Sequence, residues 1–377
     1  MTSNSKHILF LCSWYPNKIQ PTNGNFIQKQ AESASLSNNV SVINIQPDSR
    51  VKKIELDIKQ KDSLQTIIVY IPIKKNPLLK FLTYKKAYSI AYKKAEEFFD
   101  TIEIIHLHHL FPLGYLIQKT KLPLIISEHY SGFTLDNKLD SNQEKLTKKL
   151  FKKATKIVAV SEFLKQNLSI YSNSIDKIEV IGNVVDTNIF TPILKKTKDK
   201  IHFLHISNGD DASKNVNGIL KAVKQLTEIT KNFSMTFVCD GDMKLMNEKA
   251  RELGIYNNFV FFKEEQKTED IALLLQQSDA LVMFSNYETF GIVCAEALAC
   301  GTPVIATDIP ATKELVNENN SILIETENIE MLTGALLSFI EIPLKLDINL
   351  EHSKIKNNFS KEVIGEKLNH LYHNLTV

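Results

Sequence analysis

Residues 286–305 read NYETFGIVCAEALACGTPVI. A short apolar run precedes this stretch, a polar loop carries Glu288 and Gly291, and an apolar helix carries Glu296. Gly301 ends that helix, and another apolar run follows it. A strand, a loop, a helix and a second strand in this order form the repeating unit of a parallel α/β sheet.

The same alternation extends over the chain in both directions. In the first half the pattern predicts strands at residues 7–13, 39–46, 66–71, 103–107, 122–127, 156–160 and 177–181, and helices at 25–36, 79–99 and 144–154. In the second half it predicts strands at 201–207, 234–239, 259–262, 280–284, 303–306 and 321–324, and helices at 216–230, 270–277 and 292–300.

A polar, lysine-rich segment separates the two halves. It runs from Phe190 to Lys200 and is interrupted by Pro192, which is typical of a linker. A chain of 377 residues also has the length of two domains. We therefore place a first α/β domain at residues 1–190 and a second at 191–357, each doubly wound, with ligands expected at the carboxyl ends of the strands.

Composition excludes several classes of protein. The chain has 45 basic and 43 acidic residues, so a net charge of +2 does not favour nucleic-acid binding. Four cysteines without C-x-x-C spacing indicate neither a disulfide scaffold nor a zinc site. No apolar stretch approaches the length of a membrane span, and the N-terminal apolar run is too short for a signal peptide, so we expect a cytoplasmic protein.

Two carboxylates in the opening stretch are candidates for ligand binding. Glu288 follows a strand and Glu296 lies within the next helix, so both can face the crevice at the strand ends. A carboxylate accepts two hydroxyl hydrogen bonds, which suits Glu296 to a ribose diol and Glu288 to a sugar hydroxyl. The other interpretation of Glu296 is a solvated helix residue, but its apolar neighbours predict a buried helix, where a carboxylate needs a partner.

The stretch resembles the signature of retaining glycosyltransferases of family 4. The likeness rests on Glu288 and Glu296 in a Glu-x7-Glu pair, on Phe290-Gly291, and on the sequence GTPV at 301–304. The sequences IVAVS at 157–161 and VIGNVVDTNIF at 180–190 are also similar to segments of that family, with Gly182 and Val184 as departures. The resemblance implies the GT-B fold, two Rossmann-like domains that face a central cleft, with a C-terminal helix at about 358–377 packing back on the first domain.

The resemblance also implies a set of site residues. On the donor side these are Gly24, Lys214, Gly241, Lys263, Glu288, Phe290, Gly291 and Glu296, and on the acceptor side Asn23, Gly24 and Asn25. The loop around Gly24 joins a strand to a helix N-terminus, where free N–H groups and the helix dipole favour anions. Its alternative interpretation is an ordinary turn.

Histidines lie at two predicted strand ends, HLHH at 106–109 and His129 after the next strand. The spacing is not that of a zinc site, so no metal is expected, although metal binding stays an alternative for the first cluster. The resemblance places His129 near the donor sugar, as a hydrogen-bond partner that supports developing charge. A capping histidine in a loop is the other interpretation.

Lys214 is the cation that matches the family in the second domain. The family has an arginine after the preceding strand where this chain has Ser207-Asn208, and the only arginines are Arg50 and Arg251. The resemblance therefore assigns the diphosphate charge to Lys214, in the catalytic set with His129 and Glu288. Residues 240–242 read DGD, which fits the family's glycine turn better than the Asp-x-Asp metal motif of another fold.

Two predicted helices of the first domain are rich in lysine, at residues 74–94 and 144–156. Basic amphipathic helices are typical either of a solvated surface or of contact with an anionic membrane. We thus expect a cytoplasmic protein and retain peripheral contact with the inner face of the cytoplasmic membrane as an alternative.

The resemblance implies a retaining, metal-independent hexosyltransferase without cofactor. It would move a sugar from a nucleotide-diphosphate donor to a glycan or lipid-linked glycan during synthesis of cell-surface polysaccharide. The alternatives are a non-catalytic sugar-nucleotide-binding partner, which the missing arginine favours, and a sugar-nucleotide epimerase or hydrolase on the same fold.

Overall fold

A computed structural model describes residues 5–134, 139–194, 200–264 and 266–375 of the chain. These residues form two compact units. The first contains residues up to Val184 together with those from Lys361 onward, and the second runs from Val185 to Ser360. The first unit therefore ends before the linker predicted at 190–200, of which residues 195–199 lie outside the described chain.

The strands, numbered in chain order, are β1 His7–Cys12, β2 Asn39–Pro47, β3 Glu55–Lys61, β4 Leu64–Ile71, β5 Ile104–His108, β6 Leu124–Glu128, β7 Lys156–Ala159, β8 Ile178–Val180, β9 Ile201–Ser207, β10 Phe233–Cys239, β11 Val260–Lys263, β12 Ala280–Met283, β13 Val304–Thr307 and β14 Ser321–Ile324.

The α-helices are α1 Asn25–Ala34, α2 Pro77–Phe99, α3 Ser141–Lys153, α4 Glu162–Ser169, α5 Asp211–Lys214, α6 Val216–Ile229, α7 Lys244–Glu252, α8 Thr268–Gln277, α9 Ile292–Ala299, α10 Pro310–Lys313, α11 Ile329–Glu341, α12 Ile348–Phe359 and α13 Lys361–His373. Short 3₁₀ turns lie at Leu113–Leu116, Ser131–Phe133 and Ile175–Lys177.

The first unit is built on a sheet in the order β3-β4-β2-β1-β5-β6-β7-β8. Its described pairings are parallel except for β3, which runs antiparallel to β4. The central strands are buried on both faces because helices cover them, as expected for a doubly wound sheet. Strand β3 was not predicted, because Leu56 and Ile58 stay exposed and alternate with charged residues at the sheet edge.

The last helix, α13, belongs to this first unit and packs against α1. Their backbones approach closely, since a Cβ at Gly365 would lie 2.6 Å from the carbonyl oxygen of Ser33. The hydroxyl of Tyr372 lies 2.8 Å from Nδ1 of the buried His106 on β5. Helix α13 therefore contributes Ile364, Leu368, Leu371 and Tyr372 to the core formed by β1, β2 and α1.

The second unit has a parallel sheet in the order β11-β10-β9-β12-β13-β14. Its core joins apolar side chains of these strands to α6 and α11, including Phe203, Phe237, Phe284 and Phe339. Chain order reverses beside β9, where the sheet continues on one side to β10 and on the other to β12. A crevice at the carboxyl ends of β9 and β12 is the ordinary ligand position in such a sheet. The predicted architecture of two doubly wound α/β domains is confirmed.

Candidate functional site

In the second unit, the loops after β9 and β12 bring two predicted site residues into contact. Nζ of Lys214 lies 2.5 Å from Oε1 of Glu288, and the hydroxyl of Ser285 donates to the same oxygen at 2.9 Å. The two charged side chains are 18% and 13% exposed, so solvent screens this ion pair less than a surface pair. The pair is a charged, partly shielded group at the carboxyl edge of the sheet.

Backbone contacts hold this pair in place. The N–H of Asn286 donates to the carbonyl of Ser213 at 2.8 Å, and its side-chain amide donates to the carbonyl of Ala212 at 3.1 Å. Lys214 ends the short helix α5, whereas Asn215 adopts a left-handed conformation and caps α6 by accepting from Gly218 N–H. Lys214 therefore precedes α6, and the helix predicted at 216–230 agrees with the observed bounds of Val216–Ile229.

A buried histidine on β9 belongs to the same edge. Nδ1 of His205 lies 2.8 Å from the carbonyl oxygen of Val282, and its Nε2 lies 2.9 Å from the hydroxyl of Ser207. Burial, assisted by the nearby charge of Lys214 and opposed by the hydrogen bond to the Val282 carbonyl, lowers the pKa of His205 to about 4, so the ring is neutral at pH 7. His205 was not predicted as a site residue, because its contact with Val282 joins two strands. Ser285 was not predicted either, although it stands only three residues before Glu288.

The start of α9 holds three predicted site residues. Phe290 and Gly291 immediately precede this helix, and Glu296 lies within it. Gly291 has φ of +83°, a conformation that favours glycine, and it stands immediately before the first residue of α9. Phe290 is buried and its ring lies 5.3 Å from that of Phe359. Glu296 is 7% exposed, so the structure places this carboxylate in a buried stretch of α9, as predicted from its neighbours.

Gly241 lies in the loop after β10, and Lys263 lies at the end of β11, the two strands on the other side of β9. A Cβ at Gly241 would lie 2.5 Å from the carbonyl oxygen of Asn208, so this glycine allows the loops after β9 and β10 to approach closely. Lys263 is the exposed last residue of the edge strand β11. Because β10 separates β11 from β9, Lys263 is not part of the Lys214–Glu288 pair.

In the first unit, Gly24 positions the start of α1. It has φ of +74°, and a Cβ there would lie 2.6 Å from the carbonyl carbon of Trp14. Its neighbour Asn23 is half-buried and donates to the side chain of Gln20, while Asn25 is exposed in the first helical turn. The loop thus lies directly on the backbone that leaves β1, and only glycine fits at its centre.

His129 is buried immediately after β6. Its ring lies 4.8 Å from that of Phe26 and 5.9 Å from that of His108. Neither ring nitrogen has a hydrogen-bond partner among the described residues. Burial lowers the pKa of His129 to about 3, which leaves a neutral imidazole with unused hydrogen-bonding capacity. The interpretation as a capping histidine is not supported by these contacts.

The other histidines extend this aromatic group across the carboxyl ends of β1, β5 and β6. His108 stacks on Phe10 at 4.4 Å and has no described partner for either ring nitrogen, and burial lowers its pKa well below the usual value. His109 stacks on Trp14 at 3.8 Å, with Nδ1 3.4 Å from the carboxylate of Glu128. Within the described residues, no three His, Cys, Asp or Glu side chains are arranged to hold a metal ion.

Two protein-family models match adjoining parts of the chain. The model for "Glycosyltransferase Family 4" matches residues 38–189, and that for "Glycosyl transferases group 1" matches residues 186–361. The chain is a family 4 glycosyltransferase. The predicted family and transferase activity are therefore confirmed.

Sequence relatives and solved structures agree with this assignment. The glycosyltransferase is 28% identical over 338 residues to the uncharacterized glycosyltransferase MJ1178 of Methanocaldococcus jannaschii, covering 84% of this chain and 89% of the relative. It is 26% identical to the O-antigen chain mannosyltransferase RfbU of Salmonella typhimurium, covering 52% of this chain and 54% of that one.

Two solved structures share the fold of this glycosyltransferase. Sucrose-phosphate synthase from Thermosynechococcus elongatus has a TM-score of 0.79 at 17% identity, covering 98% of this chain and 99% of the other. Anabaena HepE in complex with UDP and glucose has a TM-score of 0.75 at 16% identity, covering 98% of this chain and 100% of HepE. These similarities confirm the GT-B fold.

Proposed function

We propose that this glycosyltransferase transfers a sugar from a nucleoside-diphosphate donor to a glycan or lipid-linked glycan, and that the anomeric configuration is retained. In the transfer, the bond between the anomeric carbon and the diphosphate oxygen breaks and a bond to an acceptor hydroxyl oxygen forms. The acceptor's proton and a nucleoside diphosphate are released. The family assignment supports a glycosyl transfer, and the complex of HepE with UDP supports a nucleotide donor.

The observation that carries the proposal is the Lys214–Glu288 pair at the carboxyl edge of β9 and β12. A fixed cation at a partly shielded edge stabilises the charge that develops on a leaving diphosphate. Glu288 holds the ammonium group in place and has a second oxygen available for a sugar hydroxyl. Because lysine supplies this charge, we propose that transfer requires no metal ion.

Buried polar groups suit the remaining parts of the donor. A carboxylate such as Glu296 accepts hydrogen bonds from both hydroxyls of a ribose. His129 presents ring nitrogens without described partners, which suit a neutral sugar hydroxyl better than a phosphate because the ring is uncharged. The glycine-centred start of α1, with Asn23, Gly24 and Asn25, offers backbone N–H groups at a helix N-terminus.

For the acceptor, the similarity to a mannosyltransferase of O-antigen chains supports a glycan of the cell surface. Within the described residues, none of the helices combines the length and apolarity needed to cross a bilayer. We propose that the enzyme works in the cytoplasm, with peripheral contact at the inner face of the cytoplasmic membrane. Such contact would give it access to a lipid-linked acceptor.

The proposal is tested by incubating the enzyme with a panel of nucleotide sugars, with and without glycan acceptors. Acceptor-dependent release of nucleoside diphosphate is the expected result, and NMR of the new anomeric proton should show the donor's configuration. Release without acceptor would indicate a hydrolase, a changed sugar without release an epimerase, and inversion at the anomeric carbon would overturn the retaining assignment.

A further inference from the structure

The first turns of helix α2 present large apolar side chains to solvent. Every residue from 73 to 82 is exposed, including Ile73, Leu78, Leu79, Phe81 and Leu82. Leu78 is 66% exposed and Leu79 53%. Farther along, the same helix buries Tyr84, Ala87, Ala91 and Ala95, and it packs on β2 and β4. The helix is therefore anchored by its later turns, and its apolar beginning is left uncovered within the described structure.

The exposed apolar residues lie among unpaired lysines. Between residues 63 and 95 the sequence has seven lysines and no Asp or Glu. Five of them are Lys74, Lys75, Lys80, Lys85 and Lys86, and none forms an ion pair with a described residue. Like charges gathered on one short segment repel each other, so an anionic partner lowers their energy.

A groove of about 570 Å³ lies beside this segment. Its apolar lining includes Ile54, Leu79, Leu82 and Ile90, and its lysines are Lys53, Lys74 and Lys86. Apolar contact and positive charge therefore occur together in one concave surface, which we define with the exposed residues 73–82 as the α2 surface. Such a combination matches a molecule with an apolar chain and an anionic head.

The other lysine-rich helix, α3, lacks the apolar component. Its apolar residues Leu146, Leu150 and Phe151 are buried, so only polar side chains reach solvent. Several of its lysines have protein partners, since Lys148 pairs with Glu144 and Lys149 donates to Gln118. Helix α3 is a solvated protein surface, and it provides an internal control of similar charge.

We infer that the α2 surface docks the glycosyltransferase on an anionic lipid bilayer, with the apolar side chains entering the headgroup region and the lysines contacting phosphates. A second copy of the chain is disfavoured because a symmetric contact would bring lysines against lysines. The inference deepens the membrane contact in the proposed function and rests on that function for its biological setting. Docking itself involves neither donor nor acceptor.

Vesicle co-sedimentation tests this inference on the full chain. Vesicles of phosphatidylcholine mixed with phosphatidylglycerol should bind the protein, vesicles of phosphatidylcholine alone should bind it far less, and added salt should release it. The charge variant Lys74→Gln/Lys80→Gln/Lys86→Gln should weaken binding about 100-fold, from the combined loss of three attractions to an anionic surface. The apolar variant Leu78→Ser/Phe81→Ser/Leu82→Ser should weaken binding at least about tenfold.

The matched control is Lys145→Gln/Lys149→Gln/Lys152→Gln on α3, which removes the same charge and should bind vesicles within about threefold of the unchanged protein. All substituted residues are exposed, and unchanged thermal unfolding would confirm that the variants fold. An α3 variant that loses as much binding as the α2 charge variant would overturn the inference. Binding to neutral vesicles that equals binding to anionic vesicles would overturn it too. So would a dimer of the unchanged protein that dissociates in the apolar variant.

The failure of this inference is distinguishable from a failure of the proposed function. Release of nucleoside diphosphate with a soluble acceptor should be unchanged in the α2 variants, because these residues lie outside the proposed catalytic set. If no transfer is found with any donor, vesicle binding still reports on docking alone.

Discussion

The two sheets of this glycosyltransferase carry different kinds of side chains at the carboxyl ends of their strands. In the first unit, buried histidines lie along β5 and immediately after β6, and burial lowers the pKa of His106 and of His129 to about 3. In the second unit, the corresponding edge carries the ion pair of Lys214 and Glu288. The first edge is mainly aromatic, with the carboxylate of Glu128 beside His109, and the second carries an ion pair beside the buried His205.

This difference fits the roles proposed for the two edges, recognition of a sugar hydroxyl at the first and stabilisation of phosphate charge at the second. A neutral imidazole discriminates hydroxyl groups by hydrogen bonding, and an ammonium group stabilises phosphate charge. Fold alone would not separate these roles, because both units are doubly wound α/β sheets. Substitutions at the two edges test these roles separately.

The largest effect is expected from Lys214→Ala. Loss of the cation that pairs with Glu288 should lower kcat/KM by about 10²–10³, the usual cost of removing a charge-stabilising group. Steady-state kinetics of nucleoside-diphosphate release measure this loss. Lys224→Ala is the control, because Lys224 forms an exposed pair with Glu228. If Lys214→Ala retained more than about half of the activity, another cation would carry the phosphate charge.

Glu288→Ala should lower kcat more than it weakens donor binding, by roughly 10² in rate if its carboxylate acts mainly in the transition state. Since Glu288 contacts Lys214 directly, the two substitutions should be non-additive in the double variant. Comparison of kcat and KM for both single variants and the double variant measures the coupling. Additive losses would show that the ion pair does not function as a unit.

Glu296→Ala should weaken nucleotide binding by roughly 1.5–3 kcal/mol, the worth of a hydrogen bond to a charged group. Isothermal titration with the nucleoside diphosphate measures the affinity, and Glu248→Ala on the exposed face of α7 serves as the control. Unchanged affinity in Glu296→Ala would remove this carboxylate from the ribose assignment. This effect is expected to be smaller than that of Lys214→Ala, because no formal charge on the ligand is left uncompensated.

Acidification should destabilise the first unit, because it holds buried, neutral histidines. The pKa values of His106, His108 and His129 are lowered in the folded state by burial, so the unfolded chain binds protons that the folded chain excludes. The free energy of unfolding should thus fall as the pH drops below 6.5, by roughly 1 kcal/mol per pH unit for each histidine. Stability rises again as the pH returns above that value.

His108→Phe should reduce this pH dependence, because a phenyl ring retains the stacking on Phe10 without binding a proton. Urea unfolding at about pH 7.5 and about pH 5.5, followed by fluorescence, compares the two proteins. Trp14 is the single tryptophan and lies in the first unit, so it reports on this edge. His370→Gln, a substitution at an exposed position of α13, should leave the pH dependence of the unfolding free energy unchanged. If His108→Phe also left this pH dependence unchanged, the explanation would be contradicted.

The architecture could be predicted because apolar periodicity specifies buried strands and helices locally. Strand β3 could not, since its apolar residues remain exposed at a sheet edge. The motif that contains Glu288 and Glu296 was visible as a continuous stretch. Its contact with Lys214 was not, because the two residues are 74 positions apart and meet only when β9 and β12 pair. Burial of His129 between Phe26 and His108 likewise depends on tertiary packing.

The smallest effect is expected from metal removal, which tests whether Lys214 alone balances the phosphate charge. The carboxylates of the DGD turn are the alternative metal ligands, but Oδ1 of Asp242 accepts a hydrogen bond from the N–H of Lys244 at 2.8 Å and so fixes the start of α7. This contact gives Asp242 a structural role that Asp240→Asn/Asp242→Asn would preserve in part, since amide oxygens also accept such bonds. Transfer rates should therefore be unchanged by EDTA, and the double variant should keep nearly full activity. Activity that EDTA abolishes and Mn²⁺ restores, and that the double variant lacks, would move the charge compensation from the lysine to a metal held at this turn.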